Sequence, residues 1–336
     1  MMQDAIRKAV EGIDLSRDEA RMAMETIMNG EATDAQIGGF LVAMRLKGET
    51  IEEIASFTRV MREKATLVDA GSPLVLDTCG TGGDGSGTFN ISTISAFVAA
   101  GAGITVAKHG NRSVSSKCGS ADVLIELGVN IDIPPDKVSE CLNKLGIAFL
   151  FAPKFHASMK YAIGPRRELG IRTFFNILGP MTNPAGAKRQ LMGIYSEELV
   201  QTVAGVLADL GCERGFVVHG HDGLDEMTTT DVSTVAEVIS DSVNLRTVDP
   251  LDYGIARATL DDLKVSTVSE NAAIFKEVLS GERGPKRDIV VLNSAFAICA
   301  GGAAETPEEG LRLAEESIDS GNALAKFVAL KEYTSA

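Results

Sequence analysis

The 336-residue chain contains no tryptophan, and aromatic residues make up only 5% of it. That scarcity argues against a stacking platform for single-stranded nucleic acid. No C-x-x-C pair occurs among the five cysteines, Cys79, Cys118, Cys141, Cys212 and Cys299. An odd, scattered set fits reduced thiols in a cytoplasmic protein, not a disulfide framework or a cysteine zinc site. Long apolar runs are also missing. Met1 to Glu11 carries charges and no apolar stretch, so no signal peptide is expected. The longest weakly polar stretch, 94–107, is too short and too glycine-broken to span a bilayer. Finally, no acidic residue lies between Asp84 and Asp122.

What is present is an ordinary globular balance, 45% hydrophobic and 23% charged, long enough for one large or two ordinary domains. The net charge is -14, from 32 Lys/Arg against 46 Asp/Glu. It is unevenly spread. Gly85 to Ser196 holds twelve Lys/Arg and six Asp/Glu, a local +6, so the rest of the chain carries -20. An acidic protein with a basic middle does not suit general nucleic-acid binding. It suits cations gathered around a small anionic ligand.

Residues 1–70 read as helical. Thr33 or Asp34 can cap a helix with Ile37, Phe40, Leu41 and Met44 on its apolar face, stopped at Lys47-Gly48. Thr50 with Glu53 forms a capping box for the next, whose buried stripe is Ile54, Phe57, Val60 and Met61. After Pro73 the pattern changes to strand, loop, helix, repeated: a strand at 74–77, a helix at 90–101, a strand at 104–107 and a helix at 121–127. A helix over 164–179, with Pro165 in its first turn, interrupts this. Strands at 190–194, 216–219 and 288–292 follow, with helices near 196–210, 269–280 and 307–331. The expected fold is α/β: a small N-terminal helical domain plus a large α/β domain with a mainly parallel central sheet and surrounding helices. The helical domain spans 1–70 plus about 165–190, and the α/β domain 73–164 and 191–336.

Four segments carry chemistry. The first is Asp77-Thr-Cys-Gly80-Thr-Gly82-Gly83-Asp84-Gly85-Ser-Gly87-Thr88. Its G-x-G-x-x-G is weak evidence of a dinucleotide site, because Lys108 stands where an acid is wanted, and no P-loop pattern is present. Yet five glycines in eight residues between a strand and a helix let backbone N–H groups wrap an anion. Second, Asn90-Ile91-Ser92-Thr93 opens a helix, where free N–H groups and hydroxyls suit phosphate or a metal; simple N-capping by Asn90 is compatible with that role.

The third segment, Lys108-His109-Gly110-Asn111-Arg112-Ser113-Val114-Ser115-Ser116-Lys117, follows a strand. Loops at the carboxyl ends of parallel strands line the ligand crevice. Lys108 and Arg112 can neutralise phosphate, and Ser120 caps the helix that follows. Lys117 alone reads as a solvated lysine. The fourth, His219-Gly-His221-Asp222-Gly-Leu-Asp225-Glu226, places adjacent carboxylates after a strand, as suits Mg²⁺. Zinc is the weaker alternative, for lack of a third histidine or cysteine nearby, and an acidic surface turn explains these residues equally well. Pro165-Arg166-Arg167 offers an arginine for a substrate carboxylate, although an arginine there is usually just solvated. His156 and Lys160 precede it, with no partner order that supports covalent catalysis.

Taken in order, these segments resemble the anthranilate phosphoribosyltransferase family nearly end to end. The resemblance rests on Gly80-Thr-Gly-Gly-Asp84, Asn90-Ile-Ser-Thr93, Lys108-His-Gly-Asn-Arg112, Gly119-Ser-Ala-Asp122, Phe151-Ala-Pro153, Arg172-Thr-Phe-Phe-Asn-Ile-Leu-Gly-Pro-Met-Thr-Asn-Pro184 and His219-Gly-x-Asp-Gly-Leu-Asp225-Glu226. Cys118 departs from it, standing where a small residue is expected. The resemblance implies transfer of the phosphoribosyl group of 5-phosphoribosyl 1-diphosphate (PRPP) to the amine of anthranilate. It implies PRPP contacts from Gly80, Gly83, Asp84, Thr88, Asn90, Ile91, Ser92, Thr93, the Lys108–Ser116 run and Ser120. It implies anthranilate contacts from Gly80, Asn111 and Arg166. It implies Mg²⁺, two ions per monomer, on Ser92, Asp225 and Glu226, with Lys108, Arg166, Asp225 and Glu226 as the catalytic set. It also implies a hinge between domains and a homodimer through the helical domain, with no nucleic-acid or membrane partner. The alternatives are a pyrimidine nucleoside phosphorylase, which needs no metal carboxylate pair, and a noncatalytic nucleic-acid-binding relative, which needs an extended basic surface.

Overall fold

The computed structural model describes residues 2–112 and 118–335. Four helices open the chain: α1 (Met2–Val10), α2 (Arg17–Met28), α3 (Asp34–Lys47) and α4 (Ile51–Lys64). Reciprocal capping boxes start the last three, Ser16 with Glu19, Thr33 with Gln36 and Thr50 with Glu53. Glu53 is fully buried and carries more than its cap. One oxygen accepts from Leu15 N–H at 2.8 Å and the other from Lys47 Nζ at 2.9 Å and Thr50 N–H at 2.8 Å. A buried carboxylate is tolerated because its lone pairs are filled this way.

The apolar faces expected for α3 and α4 are buried. They close on a distant segment: Phe40, Phe57 and Phe174 pack ring to ring, with centroids 4.5–6.0 Å apart. That segment differs from the expected single helix. A helix runs over Lys160–Leu169 and ends at Gly170 in the left-handed region (φ 61°). A short turn of helix, Phe175–Leu178, and a 3₁₀ turn, Gly179–Thr182, follow. Pro165 lies inside the first helix, not in its first turn. Proline has no amide to offer, so the Tyr161 carbonyl one turn back loses its helical donor.

The sheet has the order β3-β2-β1-β4-β5-β6-β7. Its parallel part is β1 (Leu76–Asp77), β2 (Val106–Gly110), β3 (Ile147–Phe151), β4 (Arg189–Gly193) and β5 (Arg214–Gly220). An antiparallel hairpin, β6 (Ser233–Ile239) and β7 (Ser242–Val248), extends one edge. Neither β3 nor this hairpin is anticipated by the sequence reading. The expected strand at 288–292 is corrected: it lies in the helix Pro285–Gly301, with Ile289, Val290, Val291 and Leu292 all buried. A helix buried all round shows the same continuous apolar run as a buried strand. The expected helix over 307–331 is two, Pro307–Asp319 and Asn322–Ser335, broken at Ser320-Gly321. Among the described residues no helix is long and apolar enough to cross a membrane.

Candidate active site

β1 lies at the centre of the parallel strands, with β2 and β4 on either side. Chain direction across the sheet reverses between β1 and β4, and such a switch point opens a crevice at the strands' carboxyl ends. Three loops meet there. The glycine loop leaves β1, residues 193–196 leave β4, and the Asp225-Glu226 turn follows β5.

The loops are locked by close backbone approach. Thr81 donates to the Gly193 carbonyl through N–H (2.9 Å) and hydroxyl (3.3 Å), and Tyr195 N–H returns a bond to Thr81 Oγ1 (3.1 Å). A methyl group on Gly193 would lie 1.5 Å from the Asp225 carbonyl oxygen, so only glycine fits. The Asp225 side chain turns back onto the glycine loop, where its Oδ2 accepts from Gly82 N–H at 2.6 Å. Asp84 folds inward on its own loop, accepting from Ser86 N–H and hydroxyl at 3.3 and 2.6 Å.

Helix α5 (Ile91–Gly101) points its N-terminus at the same place. Asn90 occupies the cap position but makes no side-chain cap bond, contrary to expectation. Its Oδ1 instead accepts from Thr93 Oγ1 at 2.7 Å, and its own N–H donates to Asn271. The helix end is instead approached by Glu226, which lies close enough to Ser92 for the Ser92 N–H and hydroxyl to favour its charged form. An anion there is favoured by the helix dipole. Lys108, almost fully buried, reaches the Thr78 carbonyl (3.1 Å) and Ser92 Oγ (3.3 Å). Ser92, Lys108, Asp225 and Glu226 are thus brought together as the sequence suggested.

The carboxylates are electrostatically uncomfortable. Burial, then the neighbouring Glu226 and Asp84, push Asp225 well above the usual carboxylate range. Burial raises Glu226 to about 7 although Lys108 opposes it. Adjacent half-buried carboxylates whose charge Lys108 offsets only in part suit an oxygen-seeking divalent ion. A second group, Asp77, Cys79 and His109, has ligand-type atoms within 4.8 Å of one another. Asp77 Oδ1 already accepts from His109 N–H (3.1 Å) and Oδ2 from Asn183 Nδ2 (2.7 Å). Burial and Asp77 push the Cys79 thiol up, so it stays protonated. With both Asp77 oxygens already accepting protein donors, that group acts as a structural hub joining β1, β2 and the Asn183 segment.

The remaining candidates divide. Gly80 lies against Asp225 Oδ2 and the Gly193 carbonyl. Ile91 sends its side chain into the core, leaving only backbone for a ligand. His109 is buried, its Nδ1 at 3.1 Å from the Gly179 carbonyl, and its ring lies 5.2 Å from that of His156. Gly110 packs against Ser120 and Phe149. Asn111 and Arg112 are exposed. Gly119, not Ser120, occupies the cap position of the helix Ser120–Glu126, and Ser120 Oγ donates to the Asn111 carbonyl instead. Arg166 is half-buried over the Phe175 ring, 5.0 Å from its centroid, and pairs with no carboxylate among the described residues. Ser113, Val114, Ser115, Ser116 and Lys117 lie outside the described residues. Sequence reasoning missed Asn183, Arg172, Tyr195 and Gly193. Only Asp77, a carboxylate ending an apolar strand, carried a local signal.

Comparison with known proteins agrees with this geometry. The family model described as "Glycosyl transferase family, helical bundle domain" matches residues 3–65, and "Glycosyl transferase family, a/b domain" matches 72–324. The chain is 57% identical over 330 residues to the anthranilate phosphoribosyltransferase of Moorella thermoacetica, covering 98% of this chain and 97% of that one. The crystal structure of the anthranilate phosphoribosyltransferase of Thermus thermophilus superposes with a TM-score of 0.94 at 42% identity, covering 99% of this chain and 100% of that one. The Saccharomyces cerevisiae enzyme in complex with PRPP and Mg superposes with a TM-score of 0.90 at 30% identity, covering 99% and 98%. The chain belongs to the anthranilate phosphoribosyltransferase family.

Proposed function

We propose that this protein transfers the phosphoribosyl group of PRPP to the amino group of anthranilate, giving N-(5-phosphoribosyl)anthranilate and diphosphate, with Mg²⁺. The observation that carries this reading is the pair Asp225 and Glu226, half-buried beside the glycine loop and Ser92 with their charge offset only in part, by Lys108. Relatives support it: one yeast structure is a complex with PRPP and Mg, another with 4-fluoroanthranilate.

In this reading the glycine loop, from Gly80 through Asp84 to Thr88, and the start of α5 hold PRPP. The Lys108–Ser116 run and Ser120 complete that set. Ser92, Asp225 and Glu226 hold Mg²⁺, two ions per monomer; bound there, the metal would neutralise the diphosphate as it leaves. Lys108 adds a fixed positive charge on the same side, where it favours charge separation at C1. Arg166, half-sheltered over Phe175, would hold the anthranilate carboxylate, with Gly80 and Asn111 beside it. Holding amine and C1 together supplies the remaining advantage.

The same reading divides the chain into a helical domain, 1–70 plus about 165–190, and an α/β domain of the remainder. The Phe40, Phe57 and Phe174 packing supports that division. We further propose a cytoplasmic homodimer formed through the helical domain. Support comes from apolar side chains left in solvent there, Val10 at 71% and Leu46 at 82% exposure.

The test is the loss of anthranilate fluorescence on adding enzyme and PRPP, with and without Mg²⁺. Mg²⁺-dependent loss that fails in Asp225→Ala/Glu226→Ala is expected. A folded protein that binds PRPP yet leaves anthranilate untouched would reject the acceptor, and phosphorolysis of thymidine or uridine would then be tried.

A further inference from the structure

Five glycines make the loop between β1 and α5 conformationally permissive. Gly82, Gly83, Gly85 and Gly87 all sit in the left-handed region, at φ 63–80°. Such a loop holds a fixed shape only where something outside it takes hold. Its root is tied to the end of β4 through Thr81, Gly193 and Tyr195. Its far end is tied to the segment opposite Thr88, by the Val265 N–H to Gly87 carbonyl bond and the Phe89 N–H to Leu263 carbonyl bond, with Thr88 facing Lys264. Among the described residues two side chains from outside the loop hold the tip, Gly82 to Asp84. One is Asp225, on Gly82 N–H. The other is Arg172, whose Nη2 donates to the Gly83 carbonyl.

Arg172 reaches the tip from the segment after Gly170, which packs with the N-terminal helices. Its guanidinium lies over the Tyr195 ring, 4.2 Å from the centroid. Stacking on an aromatic face holds an arginine plane in place. Tyr195 in turn bonds the root of the same loop through Thr81. Root and tip are therefore braced by one unit, Tyr195 with Arg172.

The consequence follows from peptide geometry. In a trans peptide the C=O and the next N–H point in opposite directions. Fixing the Gly83 carbonyl on Arg172 therefore aims the Asp84 N–H the opposite way. That N–H donates to no backbone or side-chain acceptor among the described residues. A carbonyl fixed on one side and an unpartnered N–H facing the other are what an anion cradle requires. If Asp225 turns to a metal ion, Arg172 is the side chain that still fixes the tip.

We propose that Arg172, seated on Tyr195, is a positioning residue for the diphosphate end of the donor substrate. It orients the Gly83–Asp84 peptide so that the Asp84 N–H meets a diphosphate oxygen. This rests on the PRPP reading of the site, and the test separates the two.

Calorimetry of inorganic diphosphate with Mg²⁺ is run on wild type and variants, alongside the transfer assay. A charge-assisted hydrogen bond sets the scale: Arg172→Ala should bind diphosphate about tenfold more weakly. Arg172→Lys, which keeps a donor within reach, should recover most of that loss. Tyr195→Leu should weaken binding, and Tyr195→Phe, which keeps the ring face, should weaken it less. In the transfer assay the KM for PRPP should rise about tenfold in Arg172→Ala while that for anthranilate stays within about twofold. A general loosening of the fold would move both. Wild-type diphosphate affinity in Arg172→Ala, or equal losses for both substrates, overturns the proposal. Wild type that binds diphosphate without consuming anthranilate leaves Arg172 in its role and removes the acceptor. Wild type that binds no diphosphate removes both.

Discussion

Gly193→Ala is the sharpest test of how the site is assembled. The added methyl would lie 1.5 Å from the Asp225 carbonyl oxygen and 2.5 Å from its carbon. Both neighbours are backbone, so no side chain can swing aside. Ordinary contact begins near 3.4 Å, so one backbone must retreat by about 2 Å (3.4 minus 1.5). Gly193 is the less free of the two. It is paired with Val218 in the sheet, and its carbonyl holds Thr81. The Asp225 turn therefore moves, and Asp225 Oδ2 leaves Gly82 N–H. Overpacking of this kind costs about 1–3 kcal/mol of stability, which a fold of this size should survive. Catalysis should suffer more, because a misplacement of about 1 Å can cost roughly 100-fold. The assay is kcat/KM for the fluorescence-detected transfer, measured well below the melting transition recorded by circular dichroism. A loss of about 100-fold or more in a folded protein is expected. A variant within about threefold of wild type would refute the claim that this backbone contact sets Asp225, the proposed metal carboxylate.

Asp77→Asn places an amide where both carboxylate oxygens accept, from His109 N–H and Asn183 Nδ2. One donor then faces another, at a cost of about 1–3 kcal/mol in denaturant unfolding; unchanged stability would contradict the hub. Gly39→Ala, in the middle of α3 with no atom within 4 Å of the added methyl, should stabilise by about 0.5–1 kcal/mol, and a fall in the melting temperature would reveal a contact on that face. Burial holds His156 down at about 4, below its ordinary 6.5, so the unfolded chain takes a proton that the fold refuses. Its contribution to stability is present above 6.5 and is lost on acidification toward 4, so the stability gap between wild type and His156→Phe should shrink by roughly 1 kcal/mol from pH 6 to 5; a constant gap would show that His156 protonates freely in the fold.

Much of the site was legible because its signals are local. A glycine-rich turn after a strand, hydroxyls at a helix start and adjacent acids after another strand each occupy a dozen residues or fewer. The capping boxes of α3 and α4 were readable for the same reason. What escaped depends on partners far away in sequence. Asn183 matters through Asp77, and Arg172 through Gly83, 106 and 89 positions distant. Nothing in either residue's surroundings names that partner. The β6–β7 hairpin escaped for another reason. Its two-residue turn, Ser240-Asp241, puts a non-glycine residue at φ 51° and lacks the Asn-Gly or Asp-Gly signature that marks a tight hairpin. The helix Pro285–Gly301 was misread in part because burial on all faces erases the periodicity that separates helix from strand.

The charge balance of the crevice gives a reason for carboxylates and the proposed phosphate cradle to share one site. Asp84 and Glu226 push Asp225 up, Asp84 pushes Glu226 up as well, and Lys108 is the cation that offsets both Asp77 and Glu226. Left so, the crevice repels a diphosphate, however well its N–H groups are aimed. The raised Asp225 and Glu226 record the cost of holding those charges close in a poorly solvated place. A divalent cation relieves that repulsion and gives the anion its counter-charge in the same act. Metal and diphosphate should therefore bind as a unit, each weakly without the other. On this argument the acidic pair sets the coupling between the two ligands, while the glycine loop, braced by Arg172, sets their geometry.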